Sequence, residues 1–270
     1  MENYSPDTGL PPAKARTTGQ RLRVRSIAFD APWDWLGAGW RDMWAAPHVS
    51  VTYGVIFAVL SVGLTMGLIW FGLQSLVLAL GGGFMLIAPL FAVGLYETSR
   101  RLGKGESVTF ADGIRAASGA AGRLAFFGAV LAFAFAVWLQ LALLLFMLFM
   151  NGRGIPPANE FVPMLLFTTH GVSLLVVGTV VGGILAALVF TISAISVPLL
   201  LTRKVDAVTA MATSIEAVVL NPKPMALWAC LIAAFMALGI ATLFVGLVIA
   251  FPLIGHATWH AYRALVPDIP

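Results

Sequence analysis

Four long stretches without a single Asp, Glu, Lys or Arg constrain this chain more than any other feature. They cover residues 49–96, 124–152, 161–202 and 224–262. Each is longer than the ~20 residues that an α-helix needs to cross the hydrocarbon core of a bilayer. Only 10% of the 270 residues are charged, against about 25% in soluble domains. The sequence therefore predicts an all-α, polytopic membrane helix bundle rather than a soluble core.

The lengths of these stretches, and the breaks within them, predict six transmembrane helices in a membrane domain over 48–266. A break near 72–75 divides the first stretch, and a tight turn between Gly239 and Gly246 divides the last. The last stretch is barely long enough for two spans, so a single overlong span or a re-entrant pair stays open as an alternative. The predicted spans are about 50–71, 76–98, 124–150, 171–200, 224–243 and 246–264.

The distribution of positive charge predicts the orientation of the bundle. With six spans, fifteen of the sixteen Lys and Arg residues fall on one side, and Arg153 is the exception. Five spans would leave Arg263 on the opposite side from the others. Because Lys and Arg concentrate in cytoplasmic loops, we expect a multi-pass protein of a bacterial inner membrane with both termini in the cytoplasm.

The segments before the first span predict a tail and a short helix. Residues 1–28 are polar and basic, which is typical of a disordered cytoplasmic tail. Residues 29–47 predict a Trp-rich helix in the headgroup plane, with Asp30 as its cap and Pro47 as its end. Its apolar positions at helical spacing are Trp33, Leu36, Trp40, Met43 and Trp44. The predicted interfacial anchors are Trp33, Trp40 and Trp44.

Two further amphipathic helices are predicted in the loops between spans. Thr109 and Asp112 have the spacing of a capping box at the start of the first. Asp206 caps the second, and the Asn221–Pro222 pair ends it. Within the spans, small residues four apart, such as Gly63 and Gly67, predict close contacts between helices.

The predicted spans carry little that could perform chemistry. No charged side chain lies at mid-membrane, which argues against proton pumping and ion-coupled transport. The deepest strongly polar side chain is Gln140, which we interpret as an interhelical hydrogen-bond partner or, alternatively, as part of a solute path. No nucleophile elbow, P-loop, dinucleotide fingerprint or zinc-protease motif occurs, so no catalytic residue and no enzyme activity are predicted. Cys230, in an apolar neighbourhood, predicts an inert packed thiol.

His256 and His260 are the candidate metal ligands. They are four residues apart, so they share a helical face and could present two imidazoles to one metal ion or haem. His48 and Glu97, predicted in the same leaflet, could complete such a site. The alternative is that these histidines are interfacial anchors or hydrogen-bonding groups. We expect His256→Ala and His260→Ala to leave folding and membrane insertion nearly intact. No cofactor is predicted beyond this metal or haem hypothesis.

Four strings carry a resemblance to a known family. They are AGWRDMWAAP at 38–47, GLYETSRRLGKGE at 94–106, VDAVTAMATSIEAVVLNPKPM at 205–225 and FPLIGHATWHAYRALV at 251–266. Together they resemble the bacterial membrane-protein family called domain of unknown function 2189, over about 28–266. The resemblance implies a six-span inner-membrane protein, and it brings no established catalytic or binding residues.

Three functions remain as hypotheses. The sequence favours an accessory, assembly or scaffolding component of a membrane complex, with the lipid bilayer and a membrane protein as partners. The alternative is a transporter or channel for a small neutral or apolar solute or a lipid. The second alternative is metal or haem binding through His256 and His260. The net charge of +4 is a topology signal, and no nucleic-acid partner is predicted.

Overall fold

The structure, a computed structural model, describes residues 22–150 and 156–267. Most of the predicted tail 1–28, together with Arg153, lies outside these residues. Within them the chain folds into helices joined by short turns and loops, and it has no strand. The helices are α1 (Ala31–Ala45), α2 (Pro47–Trp70), α3 (Leu76–Phe91), α4 (Val93–Leu102), α5 (Phe110–Gly119), α6 (Ala121–Met150), α7 (Ala158–Phe167), α8 (Thr169–Ser193), α9 (Ser196–Thr202), α10 (Ala207–Leu220), α11 (Pro222–Ala241) and α12 (Leu247–Leu265).

Long apolar helices occupy the predicted spans, and the all-α membrane class is confirmed. In the described residues, four helical stretches are long and apolar enough to cross a membrane: α2, α6, α8 with α9, and α11. The pair α3 and α4, bent by 41°, counts as a fifth if it is one span. The sixth predicted span corresponds to α12, which is too polar to be counted among these helices. The structure therefore supports four or five spans by length and composition.

The position of α12 explains its polarity. It packs against α1, α2, α4 and α11, so most of its side chains contact protein. Gly39 of α1 permits part of this packing, since a Cβ there would lie 2.6 Å from the backbone nitrogen of Ala257. Gly54 of α2 does the same against the backbone of Val248. A helix enclosed in this way can carry histidines that a lipid-facing helix would not tolerate.

The Trp-rich helix is present as α1, but its apolar residues divide between two faces. Leu36 and Met43 are buried against the bundle, and Trp35 meets Trp228 of α11 edge to face at 5.5 Å. The expectation that Leu36 and Met43 share a face with the anchors is therefore wrong. The predicted anchors Trp33, Trp40 and Trp44 are 56%, 46% and 51% exposed. Their position among lipid headgroups stays a prediction.

The expected caps hold the loop helices at the end of the bundle where α1 lies. The carboxylate of Asp112 accepts a hydrogen bond of 2.8 Å from Thr109 N, and that of Asp206 accepts one of 2.7 Å from Thr209 N. Asp30, in contrast, makes no side-chain cap on α1. Asn221, which ends α10, donates to the carbonyl of Arg25 at 3.0 Å. The chain before α1 is thereby tied to the helix ends.

Candidate functional site

A cavity of about 810 Å³ opens at the end of the bundle where α4, α9 and α12 terminate. Residues of α1, α5 and α6 complete its wall. Five of its lining residues are Lys or Arg and two are carboxylates, so we call it the basic cavity. Among the described lining residues, positive charge exceeds negative charge by three, before any protonation of histidine. The ionisable lining residues are Asp42, Glu97, Arg100, Lys104, Arg123, Arg203, His260 and Arg263.

Both carboxylates of the basic cavity already have partners. Glu97 accepts two hydrogen bonds from Arg100 at 2.7 Å and one from Arg101 at 2.9 Å. Asp42 lies 2.8 Å from Nε2 of His260. Burial alone would raise the pKa of Asp42, but hydrogen bonds from His260 and Ser99 outweigh it and hold that pKa below its ordinary value. Asp42 is therefore ionised at neutral pH, and neither carboxylate neutralises the other cations.

The remaining cations of the basic cavity are positioned by backbone contacts. Arg123 donates to the carbonyl oxygen of Arg203 at 2.7 Å, and Arg203 donates to that of Pro267 at 3.4 Å. The neutral carbonyl orients the Arg123 guanidinium without cancelling its charge. Lys104 is exposed. Among the described residues, no carboxylate lies within ion-pair distance of Lys104 or Arg123.

His256 lies deeper and is completely buried. Its Nε2 is 2.9 Å from Oγ of Ser50 on α2, and its Nδ1 is 2.8 Å from Oγ of Ser99 on α4. Ser50 in turn donates to the carbonyl of Ala46 at 3.0 Å. Since each ring nitrogen has a hydroxyl partner, the imidazole links three helices and has no open coordination position.

The structure brings only part of the predicted metal site together. His260 and Glu97 both line the basic cavity, whereas His256 lies between the two serines. His48 is exposed, with its Nε2 at 3.2 Å from the carbonyl of Val108. In the described parts of the chain, no group of three or more His, Cys, Asp or Glu side chains could hold a metal ion. The metal or haem hypothesis stays a prediction.

Gln140 faces outward on α6. The shallow depression beside it is lined by residues of α6 alone, among them Phe133 and Leu144. Within the described residues its side chain has no hydrogen-bond partner. Neither an interhelical hydrogen bond nor a path between helices therefore involves Gln140 in this structure.

A second cavity, of about 330 Å³, lies between α3, α4, α8, α11 and α12. Its wall is formed mainly by side chains such as Met85, Phe190 and Ile254, so we call it the apolar cavity. Cys230 also lines it and is exposed. The expectation that Cys230 is packed is thus wrong, whereas its inertness stays a prediction.

Sequence reasoning missed both cavities. Arg123 and Arg203 were interpreted only as signals of topology, although the repeated cations at the ends of helices could have pointed to a shared site. The sequence gives no sign of the partners of the two histidines, because they are distant along the chain. Ser50 and Ser99 lie 206 and 157 residues from His256, and Asp42 lies 218 residues from His260.

Comparison with known proteins gives one match. Residues 76–202 match the family model described as predicted integral membrane protein (DUF2189). No curated protein and no solved structure matches the chain. Of the four strings that carry the resemblance, only the one at 94–106 lies within the matched residues. Over 76–202, which include α3 to α9 and cations of the basic cavity such as Arg100 and Arg123, the chain is therefore similar to this family of predicted integral membrane proteins.

Proposed function

We propose that this integral membrane protein binds an anionic, phosphate-bearing ligand in the basic cavity. One observation carries the proposal: Lys104 and Arg123 line the basic cavity with no carboxylate within ion-pair distance among the described residues, and the two carboxylates that line it are already paired. Concentrating like charges is costly unless a counter-charge joins them. Arginine suits this task, since its planar guanidinium donates two parallel hydrogen bonds to phosphate oxygens.

The proposed site faces the cytoplasm of a bacterial inner membrane. In this topology α12 is the sixth span, and both termini are cytoplasmic. Two features support it: α12 is as long as a span, and its polar residues His256, Thr258 and Tyr262 are buried. Positive residues then gather on the cytoplasmic side, as the positive-inside rule requires. The activity proposed is binding and not catalysis, because the sequence contains no catalytic motif.

The test is anion-dependent stabilisation of the full-length protein in neutral detergent. A ligand that binds only the folded state raises the melting temperature. We expect glycerol phosphate to raise it more than sodium chloride at equal ionic strength. Lys104→Gln should weaken this stabilisation without removing any hydrogen bond or ion pair of the described structure, and Arg123→Gln should weaken it as well.

Lys223→Gln is the matched control, since Lys223 is exposed on α11 and does not line the basic cavity. It should leave the response to glycerol phosphate unchanged. If all three variants lost the stabilisation by glycerol phosphate equally, the effect would be general charge screening and not binding at this site. If glycerol phosphate did not stabilise the wild type, the proposed site would be rejected.

A second candidate function, that of an accessory or scaffolding component, is favoured by the exposed Gln140. A carboxamide without a partner is unfavourable in hydrocarbon, so a helix of another protein is its natural neighbour. The test is a gentle-detergent pull-down with mass spectrometry. A stoichiometric membrane partner that is lost in Gln140→Leu, and retained in Gln20→Leu, supports this function. A solitary protein rejects it.

A further inference from the structure

The apolar cavity next to the basic cavity indicates which class of anion is bound, and this inference rests on the function proposed above. We infer that the ligand is an anionic phospholipid, with its phosphate in the basic cavity and an acyl chain in the apolar cavity. Each cavity has the size of a small-ligand site, about 810 Å³ and 330 Å³. A free phosphate would require only the first.

The two cavities follow one another along the same helices. On α4, Tyr96 lines the apolar cavity and Arg100 lines the basic one. On α12, the corresponding residues are Thr258 and Tyr262. Residues four apart on a helix are separated by about one turn. The charged and apolar spaces are therefore adjacent and in the order in which a phospholipid presents its headgroup and its chains to one leaflet.

The apolar cavity is open on the outer surface of the bundle, between α8 and α11. Gly183 of α8 and both Cys230 and Ala233 of α11 line it and are exposed. Since these helices lie in candidate spans, their exposed faces meet acyl chains. A lipid can thus enter sideways from the bilayer, a route that a water-soluble anion does not need.

Two hydroxyl groups that face the apolar cavity also point to a ligand. Tyr96 is 2% exposed and Ser193 is 5% exposed, and both line the apolar cavity. Neither hydroxyl has a hydrogen-bond partner among the described residues. Neither oxygen is among the fully buried polar atoms that have no partner, so both reach the space of the cavity. The ester oxygens of a phospholipid, which lie between phosphate and acyl chain, would accept these hydrogen bonds.

The experiment compares three probes on the full-length protein in neutral detergent. They are phosphatidylglycerol, phosphatidylcholine and glycerol phosphate, each titrated to half-maximal thermal stabilisation. We expect phosphatidylglycerol to act at a concentration at least about tenfold below that of glycerol phosphate, because its chain adds apolar contact. Phosphatidylcholine has no net negative charge, so it should require a higher half-maximal concentration than phosphatidylglycerol. Lys104→Gln should raise the half-maximal concentration of phosphatidylglycerol about fivefold.

A pair of glycine variants on α8 isolates the apolar cavity. A Cβ added at Gly183 or Gly178 meets no atom within 4 Å, but only Gly183 lines the cavity. Gly183→Leu should therefore fill the cavity and raise the half-maximal concentration of phosphatidylglycerol at least about tenfold. The half-maximal concentration of glycerol phosphate should change less than about twofold. Gly178→Leu should leave both probes unchanged.

The outcomes separate this inference from the proposed function. If glycerol phosphate binds as tightly as phosphatidylglycerol and Gly183→Leu changes neither, the anion site stands and the lipid inference is overturned. If phosphatidylcholine matches phosphatidylglycerol, recognition of the headgroup charge is overturned and the lipid inference fails with it. If no probe stabilises the protein, both fail.

Discussion

At the residue scale, His256 joins α2, α4 and α12 through hydrogen bonds on both sides of its ring. The Ser50 and Ser99 hydroxyls that flank it are buried as well, at 0% and 1% exposure. Removing the imidazole leaves two buried hydroxyls without this partner and opens a cavity among the helices. Each consequence is destabilising, because buried polar groups need partners and cavities lose packing contacts.

We therefore expect His256→Ala to destabilise the protein by about 2–4 kcal/mol, measured as a lower midpoint of thermal unfolding in neutral detergent. His170→Ala is the matched control, since His170 is exposed, and it should be nearly neutral. A wild-type midpoint for His256→Ala would instead support the tolerance that the sequence alone predicts.

Asp42 gives a pH dependence with a definite sign. Its pKa is lowered in the folded protein from an ordinary value of 3.8, since hydrogen bonds from His260 and Ser99 outweigh burial. The resulting stabilisation is complete above the unfolded pKa and is lost as the pH falls through the lower, folded pKa. We expect the unfolding midpoint to fall less steeply in Asp42→Asn than in wild type between about pH 5 and pH 3.

Asp34→Asn is the control for Asp42→Asn, because Asp34 is exposed on the same helix. It should keep the slope of the wild type. Parallel slopes in all three proteins would contradict a role for the Asp42 carboxylate in stability. Asp112, whose pKa is lowered chiefly by hydrogen bonding from Thr109, accounts for part of the slope that remains.

Sequence reasoning identified His256 and His260 from their spacing but did not identify Ser50, Ser99 and Asp42 as their hydrogen-bond partners. A spacing of four residues shows that two side chains share a helical face. It does not show what the face packs against, and Ser50 and Asp42 come from distant helices. The charges were equally visible in the sequence, yet only the tertiary structure gathers Arg123, Arg203 and Arg263 around one space.

At the scale of the elements, the positions of the helices could be predicted and their packing could not. Charge-free runs determine where a long helix lies, and the break near 72–75 and the turn before α12 both occur as expected. The enclosure of α12 depends on contacts with other helices. Hydropathy measures composition along the chain, so it cannot distinguish a lipid-facing helix from one surrounded by protein.

The glycines of α2 provide a test of this packing. A Cβ at Gly54 would overlap the backbone of Val248, whereas one at Gly63 meets no atom within 4 Å. We expect Gly54→Ala to lower the thermal midpoint by the equivalent of about 1–3 kcal/mol, the usual cost of overpacking. Gly63→Ala should have little effect, contrary to the close contact that the spacing of Gly63 and Gly67 predicts.

A destabilising Gly63→Ala would show that this glycine packs against another chain, since none of the described residues of this one is near it. An unaffected midpoint in Gly54→Ala would require α2 and α12 to separate. The two variants lie on one helix and differ mainly in what their added methyl groups meet.

At the scale of the whole molecule, α4, α9 and α12 all end at the basic cavity. Their C-terminal ends must therefore lie on the same side of the membrane. The chain leaves this end through α6 and returns through α8 and α9, and it leaves again through α11 and returns through α12. An arrangement of this kind requires an even number of crossings between the ends of α4 and α12.

This geometry predicts the outcome of a topology experiment. A reporter fused after Pro270 and one inserted at Gly105, in the turn after α4, should both read cytoplasmic, while one inserted within 151–155 should read periplasmic. If α12 did not cross the membrane, the reporter after Pro270 would read opposite to the one at Gly105. That result would place Arg263 and Lys104 on different sides of the bilayer, and the basic cavity could not exist as the structure shows it.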